Sequence, residues 1–387
     1  MRKLKALIKL CLHLLPVHKK TVLFRSFDGM YNDNPRYISE HLHEANPDIK
    51  IVWALDTSYE QYVPSYIRVV KIYSSLYFYN LSRSEVVIDN NAGMNGLCGR
   101  IQISSFIKMG NRLNISTWHG TPLKKIARDE PDAAKYNDFV RISDYILAGC
   151  EYTASILRNA FCDNYPVKLI GTPRNDLLFD KNIDSNALKQ KLGLPLNSKI
   201  VLFAPTFRND INNSGINQIQ SLDLESLLTT MSENLSGKWC FVYRAHSIVQ
   251  NTININQLTE TNSNQIYNGN IGPDMAEYLI CADVLITDYS GSLFDYALTY
   301  KPCFLYAPDR EHYENVERGF YMNYDSLPFP IAYTSDELIW NIKNFDADIY
   351  KRRVEKFLKD IGNVEDGHAS ERVVDNILEF IKHGVKK

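Results

Sequence analysis

The chain carries no large charge of either sign, no paired-cysteine motif and no apolar run long enough to cross a bilayer, and each absence removes a class of protein. A formal net charge of −2 gives no overall pull toward nucleic acid, and no nucleic-acid motif is present, so a basic partner surface must be local. The seven cysteines (Cys11, Cys98, Cys150, Cys162, Cys240, Cys281 and Cys303) are odd in number and scattered without a C-x-x-C pair. That pattern excludes a disulfide framework or a zinc site and reads as reduced thiols in a cytosolic protein. No internal repeat is visible. A P-loop is excluded because its G-K-[ST] element is missing, and "GMNGLCG" (Gly93, Gly96, Gly99) is spaced as a flexible turn rather than a dinucleotide loop.

What is present is ordinary globular composition, 45% apolar and 23% charged, which excludes disorder and a polytopic membrane protein. A length of 387 residues exceeds one ordinary core and predicts two domains. The start, "MRKLKALIKLCLHLLP", sets Leu4, Leu7, Ile8, Cys11 and Leu15 at helical spacing, with Lys5, Lys9 and His13 on another face, and Pro16 ends the pattern. Such a helix spans only about 20 Å, short of the ~30 Å hydrocarbon core. Charges interrupt the apolar run and no small-residue cleavage site follows, against a signal peptide. Two readings stay open: a helix packed on its own domain, or one lying on an anionic membrane surface.

From Thr21, short apolar β-branched runs alternate with amphipathic segments: "TVLFRSF", "IKIVWAL", "RVVKI", "EVVIDN", "LNISTWHG", "DYILAGC" and "VKLIG". A polar stretch follows, then a second series: "KIVLFAPTF", "WCFVYRAH", "QIYNG", "DVLITDYS" and "KPCFLYAP". Continuous apolar strands with helical connections predict parallel sheets covered on both faces. The expected organisation is an amphipathic helix over 1–18, a Rossmann-like domain over 19–180, and a second over 181–387 that includes two C-terminal helices. The polar "NDINNSGINQIQS", Asn209 to Ser221, reads as a loop, either a surface insertion or a substrate lid. The tyrosine-rich "YSSLYFYNL" reads as core helix rather than a ring-stacking platform.

In doubly wound folds ligands sit at the carboxyl ends of strands, and four strand ends carry chemistry. In "STWHGTPLKKI", His119 and Gly120 follow a strand, with Thr121 in the turn; Pro122 suits the first turn of an expected helix "PLKKIA", which would put His119 beside a helix N-terminus with Lys124 and Lys125 close by. In "FVYRAHS", Arg244 and His246 would share one strand face, either as site residues or as an edge pair facing water. In "DVLITDYSGSLFDYA", Asp288, Ser290, Gly291 and Ser292 lead from strand to helix, so backbone N–H groups and hydroxyls could hold a phosphate, unless the serine is an ordinary cap. "APTFR" places Arg208, and "GTPRNDLLF" places Arg174 and Asn175, to complete an anion site of arginines and histidines. The one D-x-D, Asp346-Ala347-Asp348, falls at a helix start and reads as a cap rather than a metal motif, so no metal ligand is assigned.

The ordered series "WHGTPLKKI", "GTPRNDLLF", "APTFR", "YRAHS", "ITDYSGSLFDYA", "KPCFLY" and "ERGFYMNY", with "YNDNPRYISEHL" near the start, resembles the CDP-glycerol glycerophosphotransferases, the teichoic acid primase and polymerase family. The resemblance covers nearly the whole chain. It implies a GT-B fold, two Rossmann-like domains facing a central cleft. It also implies transfer of glycerol phosphate from CDP-glycerol to a lipid-linked acceptor, an undecaprenyl-diphosphate-linked saccharide, at the cytoplasmic face of the bacterial membrane, with release of CMP. The family's essential histidines correspond to His119 and His246. Its serine-rich phosphate loop corresponds to Ser290 and Gly291, where the usual second serine is replaced by Gly291 and Ser292 supplies a hydroxyl one place later. His119 would then accept the acceptor's proton, and His246, Arg244, Arg208 and the amides after Ser290 would hold the pyrophosphate. No cofactor is expected, and a homo-oligomer is left open. The absence of a further flanking domain leans the expectation toward a primase-like enzyme. CDP-ribitol as donor, a polymerase, a UDP-sugar glycosyltransferase or epimerase, and an inactive membrane scaffold are the alternatives.

Overall fold

The computed structural model describes residues 16–91, 112–131, 133, 143–206, 208, 219, 221–245, 266–272, 274–317 and 319–384. The expected helix over 1–18 lies, but for its last residues, outside them, as do His246, "GMNGLCG" and most of the loop over 209–221.

Two compact units account for the chain. The first comprises Met1–Gly120, Ala127–Asp176 and Val364–Lys387; the second comprises Thr121–Ile126 and Leu177–Asn363. The first holds β1 (His18–Arg25), β2 (Lys50–Leu55), β3 (Arg68–Lys71), β4 (Ser84–Asp89), β5 (Leu113–Ser116), β6 (Tyr145–Ala148) and β7 (Val167–Leu169), in the order β3-β2-β1-β4-β5-β6-β7. Its pairings are all parallel, as in Leu23↔Val52 and Val87↔Asn114. Helix α1 (Asp33–Ala45) and helix α2 (Ser75–Arg83) follow β1 and β3. The central strands read as apolar runs because both faces are covered: Val22, Phe24 and Trp53 pack on one side, Leu23, Val52 and Leu81 on the other. In α2, Tyr77 and Leu81 are core, as expected, while Leu76 and Tyr79 face outward.

The second unit holds β8 (Lys199–Phe203), β9 (Trp239–Tyr243), β10 (Ile266–Asn268), β11 (Val284–Thr287), β12 (Cys303–Tyr306) and β13 (Ile331–Ala332), in the order β10-β9-β8-β11-β12-β13 and again all parallel. Helix α3 (Ser292–Ala297) follows β11. In both sheets the first strand is central and the winding direction reverses beside it, between β1 and β4 and between β8 and β11. These reversals are the points where doubly wound sheets open a crevice at their carboxyl ends.

Two boundaries differ from the sequence expectation. Helix α4 (Ala347–Asp360) stays with the second unit, but helix α5 (Ala369–His383), expected there too, belongs to the first. The apolar face of α5, Val373, Val374, Ile377 and Phe380, joins the core around Val22, Ile38 and Leu42. Asp176 fixes its start, accepting from the N–H groups of Ala369 and Ser370 at 2.9 and 2.7 Å. The other difference is Thr121–Ile126, six residues inside the first half that belong to the second unit. At α4, Asp346 accepts from Ile349 N at 2.8 Å, so the D-x-D is a helix cap, as the sequence reading had it.

Candidate active site

The first unit places His119 at its reversal point. Beyond β5 the chain turns through Trp118 and Gly120 with φ of +54° and +118°. The φ of +118° favours glycine at the second position, and the missing Cβ leaves the space that Nη2 of Arg174 occupies. Trp118 is buried with its ring edge-on to Phe161 at 5.2 Å, and the imidazole lies 3.9 Å from the Trp118 ring centroid and 5.6 Å from that of Phe27. Nδ1 of His119 lies 2.9 Å from the main-chain oxygen of Asn90. A carbonyl can only accept, so Nδ1 carries the proton and, in the neutral ring, the acceptor lone pair is on Nε2.

Around that histidine is a buried polar network that sequence reasoning did not assign. Asn90, just past β4, is fully buried; its Oδ1 accepts from Phe27 N at 2.9 Å, and its Nδ2 donates to Ser26 Oγ at 3.0 Å and Asp33 Oδ2 at 2.6 Å. Asn34, also fully buried, donates through Nδ2 to the oxygens of Thr117 and Trp118 at 3.2 and 2.9 Å. Arg174 pairs with Asp33 at 2.6 Å, and the same nitrogen donates to the main-chain oxygen of His119 at 2.8 Å. Arg174 is thus brought to His119, but through its backbone. Asn175 is buried against Glu365 at 3.3 Å and serves the junction with α5. The signal that could have found Asp33, Asn34 and Asn90 is polarity where burial is expected: "YNDNP" follows β1 and "VIDNN" ends β4, the two strands that flank the reversal.

The expected helix "PLKKIA" does not form. Lys124 bridges Phe320 in antiparallel fashion, Lys125 N donates to Gly319 O at 2.8 Å, and Tyr321 N donates to Leu123 O at 2.9 Å. The backbone groups that a helix would have used locally find partners two hundred residues away, so His119 is not beside a helix N-terminus.

In the second unit the carboxyl ends of β8, β9 and β11 gather the other assigned residues. Thr121 is here, close to the phosphate-loop candidate: a Cβ on Gly291 would stand 3.0 Å from Thr121 O, a tight contact. Ser290 and Ser292 interact with each other, Oγ to Oγ at 3.0 Å, and α3 starts at Ser292 as expected. Asp288 is buried and accepts from Thr206 N at 2.8 Å and Tyr289 N at 2.5 Å, bridging β8 and β11 across the reversal.

Arg208 is engaged within its own unit. Its guanidinium pairs with Asp288 at 2.8 Å and with Asp309 at 2.6 and 3.0 Å, donates to Thr206 O at 2.7 Å, and lies 4.9 and 4.8 Å from the rings of Tyr289 and Tyr313. Burial works against its charge, but Asp288 and Asp309 outweigh that and raise its pKa above the ordinary arginine value. At least three of its five donors are hydrogen-bonded within the unit, and the ion pair with Asp288 adds to them.

Arg244 is the contrast. β9 ends at Tyr243, and lies between β10 and β8, so Arg244 is neither in the strand nor on a water-facing edge, as one sequence reading had it. It is buried, donates to Gly269 O at 2.6 Å and lies 4.5 Å from the Tyr278 ring. Among the described residues no carboxylate forms an ion pair with it. Burial lowers its pKa, offset only in part by Tyr278, Asp274 and Glu277. A buried cation is unfavourable unless its charge is compensated. Among the described residues no group of three or more His, Cys, Asp or Glu side chains is arranged to hold a metal ion.

Comparison with known proteins shows the family and the fold. Residues 7–379 match the family model of CDP-Glycerol:Poly(glycerophosphate) glycerophosphotransferase. The chain is 31% identical to a teichoic acid poly(glycerol phosphate) polymerase of Staphylococcus epidermidis, over 95% of this chain and 51% of that protein. It thus spans about half the length of that relative. A protein of the same description from Bacillus spizizenii is 30% identical, over 94% of this chain and 93% of that protein. The solved structure of the wall teichoic acid polymerase TagF superimposes with a TM-score of 0.80 at 28% identity, covering 98% of this chain and 96% of that one, so the fold is the GT-B class of two doubly wound units.

Proposed function

The chain belongs to the CDP-glycerol:poly(glycerophosphate) glycerophosphotransferase family, and we propose from that premise that it transfers glycerol phosphate from CDP-glycerol to a hydroxyl of a lipid-linked saccharide in teichoic acid synthesis. The acceptor oxygen attacks the β-phosphorus, the bond from that phosphorus to the CMP oxygen breaks, and CMP leaves. The observation that carries the reading is the Nδ1 contact of His119 with Asn90 O, which leaves Nε2 as the proton acceptor that the attacking hydroxyl requires. Arg244 supports the donor side, since a diphosphate would balance a buried charge that has no ion pair among the described residues, with Ser290, Gly291 and Ser292 after β11 contributing amide and hydroxyl donors. His246 is assigned to the same diphosphate.

The reading is primase-like, adding one or a few units; the polymerases among the relatives favour a longer product as the second reading. Incubation with CDP-glycerol and a synthetic undecaprenyl-diphosphate-linked disaccharide should release CMP only when acceptor is present, and should do so in EDTA because the charge is met by arginine, histidine and amides. Mass spectrometry of the product counts the units. CMP release from CDP-ribitol but not CDP-glycerol, or activity lost to EDTA and restored by Mg²⁺, would contradict the donor or the metal-free step respectively.

The acceptor places the enzyme at the cytoplasmic face of the membrane, and the basic, apolar pattern of residues 1–15 suits attachment to an anionic surface. No helix of the described residues is long and apolar enough to cross a membrane. Replacing Leu4, Leu7 and Ile8 by Glu should reduce sedimentation with anionic liposomes while turnover of a soluble acceptor persists. Unchanged sedimentation would mean that the segment packs on its own domain.

A further inference from the structure

The bonds around His119 close into a ring of four residues, and one carboxylate joins its two halves. Nδ1 of His119 meets Asn90 O at 2.9 Å; Asn90 Nδ2 donates to Asp33 Oδ2 at 2.6 Å; Asp33 Oδ1 pairs with Arg174 Nη1 at 2.6 Å; and Arg174 Nη1 returns to His119 O at 2.8 Å. Asp33 is 5% exposed and sits at the first position of α1 with φ +57°, a backbone conformation that most residues avoid. Its neighbour Asn34 extends the clamp, holding the oxygens of Thr117 and Trp118 while accepting from Arg174 N at 3.0 Å. Every main-chain oxygen from Thr117 to His119 is therefore bonded by Asn34 or Arg174, and the imidazole is bonded by Asn90.

We propose that Asp33 is a positioning residue that fixes the tautomer and orientation of His119, acting through Asn90 on the ring and through Arg174 on the backbone. The inference rests on His119 being the base. Each arm has a reason to depend on Asp33. The Asn90 carboxamide is what pins the main-chain oxygen that His119 meets, because its other contacts, to Phe27 N and Ser26 Oγ, lie just past β1 and leave the direction toward α1 to Asp33. The Arg174 guanidinium packs into the space left by the absent side chain of Gly120, where its charge is balanced by Asp33. A carboxylate is suited to this because both neighbours are donors, and a carboxylate can accept on both oxygens without offering a hydrogen to either.

Asp33→Asn tests this with the backbone preference kept, since asparagine also tolerates the left-handed region. The amide has one acceptor oxygen, so its NH₂ must face either Asn90 Nδ2 or the guanidinium, and one link breaks. The exchange D33N/N90D returns the link between the two positions with donor and acceptor reversed and keeps an amide oxygen for Arg174. Histidine-selective ¹⁵N NMR at about pH 8.5, well above the ordinary imidazole value, reads the tautomer, with His119→Gln assigning the signal. The wild type should show Nδ1 protonated; D33N should populate both neutral tautomers, lower kcat about 100-fold and leave the Kd for CDP-glycerol unchanged. The exchange variant should recover the Nδ1-protonated form and part of kcat. A wild-type tautomer or full kcat in D33N, or no recovery in a folded exchange variant, would reduce Asp33 to a structural carboxylate. Should D33N not fold, R174Q breaks the ring at its next member and should loosen the tautomer in the same way; an unchanged tautomer there overturns the proposal. If His119→Gln turned over at the wild-type rate, His119 would not be the base, and the tautomer experiment would still decide whether Asp33 holds the ring.

Discussion

Arg208 and Arg244 are both buried cations in the second unit, and what surrounds each predicts opposite behaviour on removal. Arg208 is held by Asp288 and Asp309, so Arg208→Ala leaves Asp288 buried without its partner and should destabilise the protein by about 3–5 kcal/mol in urea denaturation. Arg244 has no ion pair among the described residues, so Arg244→Gln removes a charge that its surroundings offset only in part and should leave the ligand-free protein as stable or more so, while weakening CDP-glycerol binding in calorimetry. Equal destabilisation by the two substitutions would remove the distinction. Asp309 adds a pH signature: the Arg208 contact outweighs burial and holds its carboxyl below the ordinary range. Its contribution is therefore present above about pH 4 and is lost as pH falls through the lower folded value, a loss that should vanish in the Arg208 variant. At this scale the sequence named the residues better than their roles. A run such as "APTFR" shows an arginine at a strand end, but the carboxylates that engage it, Asp288 and Asp309, are distant in sequence, the latter by 101 positions, and leave no local mark.

Among elements, legibility followed the length of the apolar pattern. All the strands from β1 to β12 coincide with or overlap runs that could be read directly, because strands buried on both faces are largely apolar; the exposed His18–Lys20 at the start of β1 lay outside its run. β13 has two residues and no period to detect. The expected helix over "PLKKIA" had the right spacing and a proline at its start, yet an antiparallel bridge to Phe320 took its backbone. Helix α5 was recognised as a helix but placed with the wrong domain, since amphipathicity says that a face is buried and not against what. The structure answers that: α5 and Asp176 tie the chain's end to the first unit, and Glu365 accepts from Thr172 N at 2.9 Å. Deleting residues 364–387 should therefore expose the core around Val22 and Ile38, giving loss of the cooperative unfolding transition in the first unit and binding of a hydrophobic dye. A truncated chain that keeps the wild-type transition would show that α5 is dispensable.

For the molecule as a whole, two parallel sheets of the same winding put their candidate chemistry at their reversal points, His119 on Asn90 in the first and Asp288 bridged to Thr206 in the second. The segment that carries the histidine runs directly from one unit into the other, with Gly120 the last residue of the first and Thr121 beside Gly291 in the second. The central claim is a division of labour: His119 accepts the proton and the second unit grips the donor. The most direct measurement is the turnover of His119→Ala together with its calorimetric affinity for CDP-glycerol, set beside His246→Ala. The account predicts that His119→Ala lowers turnover by roughly 10²–10⁴ with donor affinity unchanged, whereas His246→Ala weakens binding by about 1.5–3 kcal/mol, one charge-assisted bond. Equal loss of affinity in the two variants would contradict it and make His119 a phosphate ligand instead of the base.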